Sequence, residues 1–337
     1  MSGGFRGSLA STMRALIYDY DTRVVEKPLP PIPRGWVLVR VEWAAWTGLE
    51  EAIVAGHLGV EPGVVLGHAG YGVVVELGVA APSWLASKKV AVGRLPAPYT
   101  IPSYRKRLWA LIDEIAPLPG IVYNGWLAEY TALPSSALTE ITISLEDEKY
   151  YALSTPAAIA MVAAHWLATR ARGNRYAVVG GGLVAIMASL AAQEVYGYEL
   201  TLYSSDLRWE KIAEELGVNM EHIRRLGDHT RPLAAVFIAT LDAYDSYRAV
   251  ESVRHDGDIL LHPVYVHETP PILPRCSYRL ITSFPADTGA YLLRKLGSRK
   301  LEKLVAVMDT LEKPPVPRPR PALIVKIGAR KAGKGLE

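Results

Sequence analysis

The alternation of apolar and polar residues predicts β-structure through the first half of the chain. Residues 36–46 (WVLVRVEWAAW) place Val37, Val39 and Val41 on one face of a strand. Residues 64–78 carry four glycines among β-branched residues, which is typical of strands that bend sharply in a small barrel. Further strands are predicted at 13–21, 89–93 and 125–134.

From residue 154 the pattern changes to alternating helices and strands. Residues 154–172 are rich in alanine and predict a helix. Residues 176–204 then have the pattern of a strand, a glycine turn, a helix and a second strand. The apolar runs at 234–240 and 258–266 are typical of buried parallel strands. The second half therefore predicts an α/β fold with a doubly wound parallel sheet.

The C-terminal segment predicts a return to the first half. Residues 301–313 predict a helix, the proline-rich stretch 314–321 excludes one, and residues 322–328 predict a final strand beside the first domain. The domain boundaries that follow are a flexible arm at 1–12, a β-barrel domain at 13–153 completed by 300–328, a parallel-sheet domain at 154–299, and a basic tail at 329–337.

Composition narrows the class of protein. The chain has 337 residues with 37 basic and 34 acidic side chains, a balance that does not point to nucleic acid as a partner. Its single cysteine, Cys276, excludes an internal disulfide and a cysteine-rich zinc site. The apolar run Tyr176–Ala192 contains three adjacent glycines and predicts a soluble strand–turn–helix unit. We expect a cytoplasmic protein without a membrane partner. The scarcity of heat-labile amides (three asparagines and one glutamine), together with 24 prolines, suggests a thermophilic source.

A glycine turn is the strongest single motif. Gly180, Gly182 and Ala185 occupy the three positions of a G-x-G-x-x-G/A dinucleotide fingerprint between an apolar strand and an apolar helix. In this pattern, amides at the helix start face a diphosphate. We predict that Gly180, Gly181, Gly182, Leu183 and Val184 bind a dinucleotide; the alternative is a purely structural turn.

The end of the next strand predicts which dinucleotide binds. Ser204 stands about where a ribose-binding acid usually falls, and it has no carboxylate to repel a 2′-phosphate. Arg208 follows and suits a phosphate group. Ser204, Ser205 and Arg208 therefore favour NADP over NAD. In the alternative interpretation, Arg208 is a solvated helix residue, and Asp206 caps that helix or binds a ribose.

The order and spacing of these motifs resemble a known family. The chain is similar, from Met13 to about Gly328, to the medium-chain dehydrogenase/reductase superfamily, the alcohol-dehydrogenase-like proteins. The resemblance implies a small GroES-like barrel domain, split in sequence, that clasps a Rossmann domain, with the reaction in the cleft between them. It rests on residues 13–19, 33–51, 64–78, 89–93, 125–134 and 178–185.

The resemblance also implies where zinc ligands would lie. The family's cysteine position matches Thr47, its x-x-Asp matches Glu50, its Gly-His-Glu motif reads Gly67-His68-Ala69, and the later ligand position falls at Thr155. Threonine hydroxyls are poor substitutes for thiolate or carboxylate. The family's four-cysteine lobe would fall within 94–124, which has no cysteine. We therefore expect no metal. The alternative is that Glu50, Glu51 and His68 together coordinate a metal ion.

Without zinc, hydrogen-bond donors must stabilise the reacting oxygen. We predict Thr47 as the first donor, His68 as a donor or proton source tuned by Glu50, and Thr155 as a third candidate. Thr240 and His262 end two strands of the parallel sheet, where ligands bind, and we predict that both contact the cofactor. Each also admits a structural interpretation.

The predicted activity is a zinc-independent, NAD(P)-dependent oxidoreductase. It would transfer hydride between a nicotinamide and a small carbonyl, alcohol, enone or quinone. Two alternatives remain open: a dinucleotide-binding protein without catalysis, serving as a redox sensor or subunit, and a metal-dependent alcohol or polyol dehydrogenase with atypical ligands. The resemblance further implies a homodimer or homotetramer. The sequence does not encode the substrate.

Overall fold

A computed structural model describes residues 11–95, 118–170, 175–228, 231–266, 276–314 and 317–328. The predicted basic tail lies outside these residues, as does most of the predicted arm and of the 94–124 segment. The described chain forms a mostly antiparallel β-unit and a parallel sheet flanked by helices.

The first unit is a seven-stranded sheet with a two-stranded hairpin beside it. The strand predicted from the alternation at 36–46 is confirmed: the observed strand covers the same residues. It is central in the sheet, because it pairs with strands on both sides. The hairpin consists of β1 (Thr12–Tyr18) and β2 (Thr22–Pro28). The sheet contains β3 (Trp36–Trp46), β4 (Ala69–Leu77), β5 (Lys89–Val92), β6 (Tyr130–Pro134), β7 (Leu138–Glu140), β14 (Val305–Met308) and β15 (Ala322–Lys326).

The second unit is a six-stranded parallel sheet with the strand order β10-β9-β8-β11-β12-β13. Its first strand lies in the middle and the order reverses beside it, so the sheet has a doubly wound topology with a switch point between β8 and β11. The strands are β8 (Tyr176–Val179), β9 (Leu202–Ser204), β10 (Met220–His222), β11 (Leu233–Ile238), β12 (Val253–Leu261) and β13 (Ser277–Leu280).

Helices cover the parallel sheet and connect it to the β-unit. The two apolar helices that follow the domain boundary, α2 and α3, are almost wholly buried, which explains their alanine-rich sequences. Buried side chains from both units form one continuous apolar cluster. The helices are α1 (Gly48–Val54), α2 (Ser154–Ala168), α3 (Leu183–Tyr196), α4 (Glu210–Glu215), α5 (Ala243–Glu251) and α6 (Ala286–Leu304).

One helix among the described residues is long and apolar enough to cross a membrane by length and composition alone. It is the stretch Glu148–Ala168, and 83% of its apolar window is buried inside the fold. A buried core helix has the same composition.

The C-terminal segment corrects one prediction and confirms another. The helix predicted at 301–313 is wrong, because α6 ends at Leu304 and Val305–Met308 forms a strand parallel to β15. The β-branched residues Val305 and Val307 favour this extended backbone. The predicted final strand is confirmed, since β15 pairs antiparallel with β3 in the first unit.

Candidate active site

A cleft of about 470 Å³ lies between the β-unit and the carboxyl ends of the parallel strands. This volume falls within the usual range for small-molecule and cofactor sites. The cleft brings together most of the residues that the sequence singled out. Those lining it are Thr47, His68, Gly181, Gly182, Leu183, Val184, Ser204, Ser205, Arg208, Thr240 and His262.

The glycine turn forms a cradle at the start of α3. Gly180 has a φ of +137°, and a Cβ there would lie 2.6 Å from the backbone oxygen of Ala239. A Cβ on Gly182 would meet nothing within 4 Å, because this residue faces the open cleft. Gly182 is also the N-cap of α3, and no side chain caps the helix there. The free amides and the open space fit the diphosphate of a dinucleotide.

The loop after β9 is fixed by a buried carboxylate that the sequence analysis missed. Asp245 is 1% exposed and accepts hydrogen bonds from the Ser204 hydroxyl (3.1 Å) and the Ser205 amide (2.9 Å). Burial raises the pKa of Asp245, although the hydrogen bonds from Ser205 and Ser204 oppose this effect. Asp245 lies in the first turn of α5, the helix that follows β11. An acidic residue just beyond the carboxyl end of a parallel strand is the signal from which the sequence could have predicted it as a site residue.

Arg208 reaches the cleft but is already paired. Its Nε donates to Oδ2 of Asp206 (2.9 Å), and its Nη1 lies 3.4 Å from Oε2 of Glu51 in the β-unit. Asp206 is not the helix cap considered from the sequence, because Trp209 is the N-cap of α4. A phosphate group bound at Arg208 would therefore compete with two carboxylates.

Thr47, Glu50 and His68 form one hydrogen-bonded cluster. Thr47 is the N-cap of α1, and Glu50 completes a capping box with it. The Thr47 hydroxyl donates to Oε2 of Glu50 at 3.0 Å, while Nδ1 of His68 lies 2.7 Å from Oε1. The His68 amide also donates to Oε1, at 2.9 Å. The loop 67–69 and the start of α1 are thereby fixed together.

The charge on Glu50 follows from these contacts. Its side chain is fully buried, and burial alone would raise its pKa. Attraction to His68 and hydrogen bonds from His68 and Thr47 outweigh burial and lower the pKa to about 2. Because Glu50 is then an acceptor only, Nδ1 of His68 carries a hydrogen and Nε2 remains for other chemistry.

Both predicted catalytic threonines use their hydroxyl groups within the protein. Thr47 donates to Glu50, and Thr155 donates to the backbone oxygen of Val92 at 2.7 Å. Thr155 is completely buried and does not line the cleft, although its neighbour Pro156 does. The structure therefore brings His68, Glu50 and Thr47 together and leaves Thr155 apart.

Thr240 and His262 lie where the sequence predicted, beyond the carboxyl ends of β11 and β12. The Thr240 hydroxyl accepts from the Asp242 amide at 3.1 Å, and its carbonyl accepts from the Tyr265 hydroxyl at 2.7 Å. Burial, followed by the proximity of His68, lowers the pKa of His262 to about 3. His262 is therefore neutral at physiological pH.

Among the described residues, no group of three or more His, Cys, Asp or Glu side chains is arranged to hold a metal ion. At the position where the resemblance would place a catalytic zinc, Thr47 and Thr155 supply only hydroxyls that are used elsewhere, and His68 is bound to Glu50. This donor set does not fit a tetrahedral zinc site.

The comparisons with known proteins agree with this architecture. Residues 33–143 match the alcohol dehydrogenase GroES-like domain. None of the curated proteins matches the chain. Among solved structures, Haloferax mediterranei glucose dehydrogenase in complex with NADP, Zn and gluconolactone has a TM-score of 0.68 and 19% identity, covering 94% of this chain and 99% of that chain.

Two further structures have the same fold. A short chain alcohol dehydrogenase from E. coli CFT073, complexed with NADH, has a TM-score of 0.67 and 16% identity over 94% of this chain and 100% of that one. A thermostable alcohol dehydrogenase from Pyrobaculum aerophilum has a TM-score of 0.65 and 21% identity over 94% and 99%. The chain therefore has the fold of these dehydrogenase structures, and its residues 33–143 match the alcohol dehydrogenase GroES-like domain.

Proposed function

We propose that the protein is an NAD(P)-dependent oxidoreductase that acts on a small carbonyl, alcohol, enone or quinone. The observation that carries this proposal is that the open glycine cradle and His68, whose Nδ1 is bonded to the buried Glu50, line one cleft. Gly181, Gly182 and the amides at the start of α3 would hold the diphosphate. When bound, the nicotinamide supplies or accepts a hydride. Bound NADH and NADP in structures of the same fold support this choice of cofactor.

The His68–Glu50 pair would move the proton that accompanies the hydride. Glu50 accepts a hydrogen bond from Nδ1–H of His68. This bond fixes the orientation of the ring and stabilises the imidazolium when it forms. Nε2 of His68 then accepts the hydroxyl proton when an alcohol is oxidised, or returns it to the product oxygen when a carbonyl is reduced. Thr47 holds Glu50 in place through its amide and hydroxyl.

A substitution of His68 tests this role. His68→Ala should lower kcat by about 10²- to 10⁴-fold, the usual contribution of a general acid or base. The Kd for NADPH should change little, because the glycine cradle is untouched. His165→Gln on the exposed side of α2 is the matched control and should leave both constants unchanged. Equal turnover in the His68→Ala variant would remove His68 from the mechanism.

We propose that this chemistry proceeds without zinc. The support is the donor set, in which the threonines at the family's ligand positions already donate within the protein. Turnover should survive dialysis against a chelator, with metal content measured on the same sample. Near-stoichiometric zinc whose removal abolishes turnover would favour the metal-dependent alternative instead.

We favour NADP over NAD because the Ser204 side chain at the end of β9 carries no charge and the Arg208 guanidinium lines the same cleft. A 2′-phosphate would have to draw Arg208 away from Asp206 and Glu51. Arg208→Ala should weaken NADPH binding about tenfold or more, the loss expected for a charge-assisted hydrogen bond, and leave NADH binding nearly unchanged. Tighter binding of NADH than NADPH by the wild type would refute the preference.

The activity itself is tested by NADPH consumption with a panel of aldehydes, ketones, quinones and enones. We expect turnover with at least one class. A protein that gains thermal stability with NADPH but oxidises none would be a dinucleotide-binding protein without catalysis.

A further inference from the structure

The cleft contains a second imidazole, that of His262, which the proton path described above does not use. His262 is the first residue after β12. Its amide donates to the carbonyl of Ile238 at 3.1 Å, and its carbonyl accepts from the amide of Tyr265 at 3.0 Å. The backbone is therefore fixed on both sides, which gives the ring a rigid base at the cleft.

The tautomer of this ring is set by a backbone group. The amide of Val264 donates to Nδ1 of His262 at 3.1 Å. Since Nδ1 accepts, the hydrogen of the neutral imidazole is on Nε2. The low pKa of His262, caused by burial and then by His68, keeps the ring neutral.

The Nε2 atom has no hydrogen-bond partner in the part of the chain that the structure describes. Since Nε2 is not one of the buried polar atoms that lack a partner, and since His262 lines the cleft, this atom is accessible from the cleft. An N–H donor that is held in place, and that cannot lose its proton near neutral pH, suits an oxygen that gains negative charge. Such a donor can stabilise that charge where a metal would otherwise do so.

We propose that the Nε2–H of His262 donates a hydrogen bond to the reacting oxygen of the substrate. This role rests on the proposed function. In carbonyl reduction, the carbon gains a hydride with its electron pair, the C=O π pair moves to oxygen, and the oxygen takes a proton from Nε2 of His68. His262 keeps its own proton throughout. The two imidazoles thus have complementary tasks: His68 transfers the proton and His262 stabilises the charge.

Two substitutions test the donor. His262→Leu removes it and should lower kcat by about 10²- to 10³-fold, the usual cost of losing such a donor. His262→Gln keeps a neutral N–H and should retain at least tenfold more turnover than His262→Leu. The Kd for NADPH should stay within about threefold in both. His255→Leu, at an exposed histidine near the start of β12 and outside the cleft, is the matched control and should behave as wild type.

A measurement independent of activity examines the ring itself. Nitrogen-15 NMR of the labelled protein without cofactor should show His262 neutral and protonated on Nε2 at pH 7. An imidazolium or an Nδ1–H tautomer would overturn the assignment, as would equal kcat in the His262→Leu variant and wild type. A wild type that binds NADPH but turns over no substrate would overturn the proposed function, and this role with it.

Discussion

At the scale of single residues, the site depends on ionisation states set by burial. Glu50 is charged although it is fully buried, because His68 and two groups of Thr47 compensate for the lost water. His262 is neutral because it is buried and has no anionic partner among the described residues. One imidazole is thus prepared to take a proton and the other to keep one.

The low pKa of His262 predicts how stability depends on pH. The folded ring stays neutral down to about pH 3, whereas the unfolded chain takes up a proton at the ordinary value of 6.5. Its contribution is therefore fully present above pH 6.5 and is lost as the pH falls towards 3. Glu50 acts in the same direction below about 4.5, since its folded pKa of about 2 is also lowered.

Urea unfolding at several pH values measures this effect. Between pH 6.5 and 5, the free energy of unfolding of the wild type should fall relative to that of His262→Gln by at most about 1.4 kcal/mol per pH unit. A difference between the two proteins that stays constant from pH 7 to 5 would show that His262 is accessible to protons in the folded state.

At the scale of elements, the turn between β8 and α3 contains two glycines with different tasks: Gly180 is required by the backbone conformation, and Gly182 leaves space for the ligand. Gly182→Ala should leave the unfolding midpoint nearly unchanged, because its Cβ meets nothing within 4 Å. The methyl group would occupy the diphosphate's space, so NADPH binding should weaken by tenfold or more.

Gly180→Ala is the matched comparison. Its φ of +137° and the approach of the Ala239 oxygen to 2.6 Å predict a loss of stability before any ligand is added. Calorimetry with and without NADPH measures both effects. A Gly182→Ala protein that binds NADPH like wild type would place the diphosphate elsewhere.

The pattern of the sequence predicted these elements wherever local signals agreed. The strand at 36–46 and the β8–turn–α3 unit followed from alternation and from the glycine spacing. Local pattern failed at Val305–Met308, where pairing with β15 selects a strand directly after a helix. Asp245 was missed because its contact with Ser204, 41 positions away, depends on how β9 and α5 are packed.

At the scale of the whole molecule, Glu51 connects three distant segments. Its carboxylate accepts from Nε of Arg318 at 2.7 Å, 267 positions away, and lies 3.4 Å from Nη1 of Arg208 across the cleft. Burial would raise the pKa of Glu51, but the contacts with Arg318 keep it below its ordinary value. The pairing was not predictable from the sequence, since it depends on the return of the C-terminal segment to α1.

Arg318→Met should therefore destabilise the protein by about 3 kcal/mol, because it removes one side of a buried ion pair. Lys313→Met is the matched control: this lysine pairs with the exposed Asp21, so its loss should not measurably change stability. Urea midpoints of the two variants give the comparison. Equal urea midpoints for the two variants would mean that the contact between Arg318 and Glu51 of α1 does not stabilise the fold.

The most direct measurement of the central claim follows the hydrogen from the nicotinamide to the product. NADPH carrying deuterium at C4 is incubated with an accepted carbonyl and with protein whose metal content has been measured. The account predicts deuterium on the product carbon, with a yield that does not depend on zinc content. The experiment is run with deuterium on one face of C4 and then on the other. Product that lacks deuterium in both runs, or a product yield that rises in proportion to bound zinc, would contradict the account.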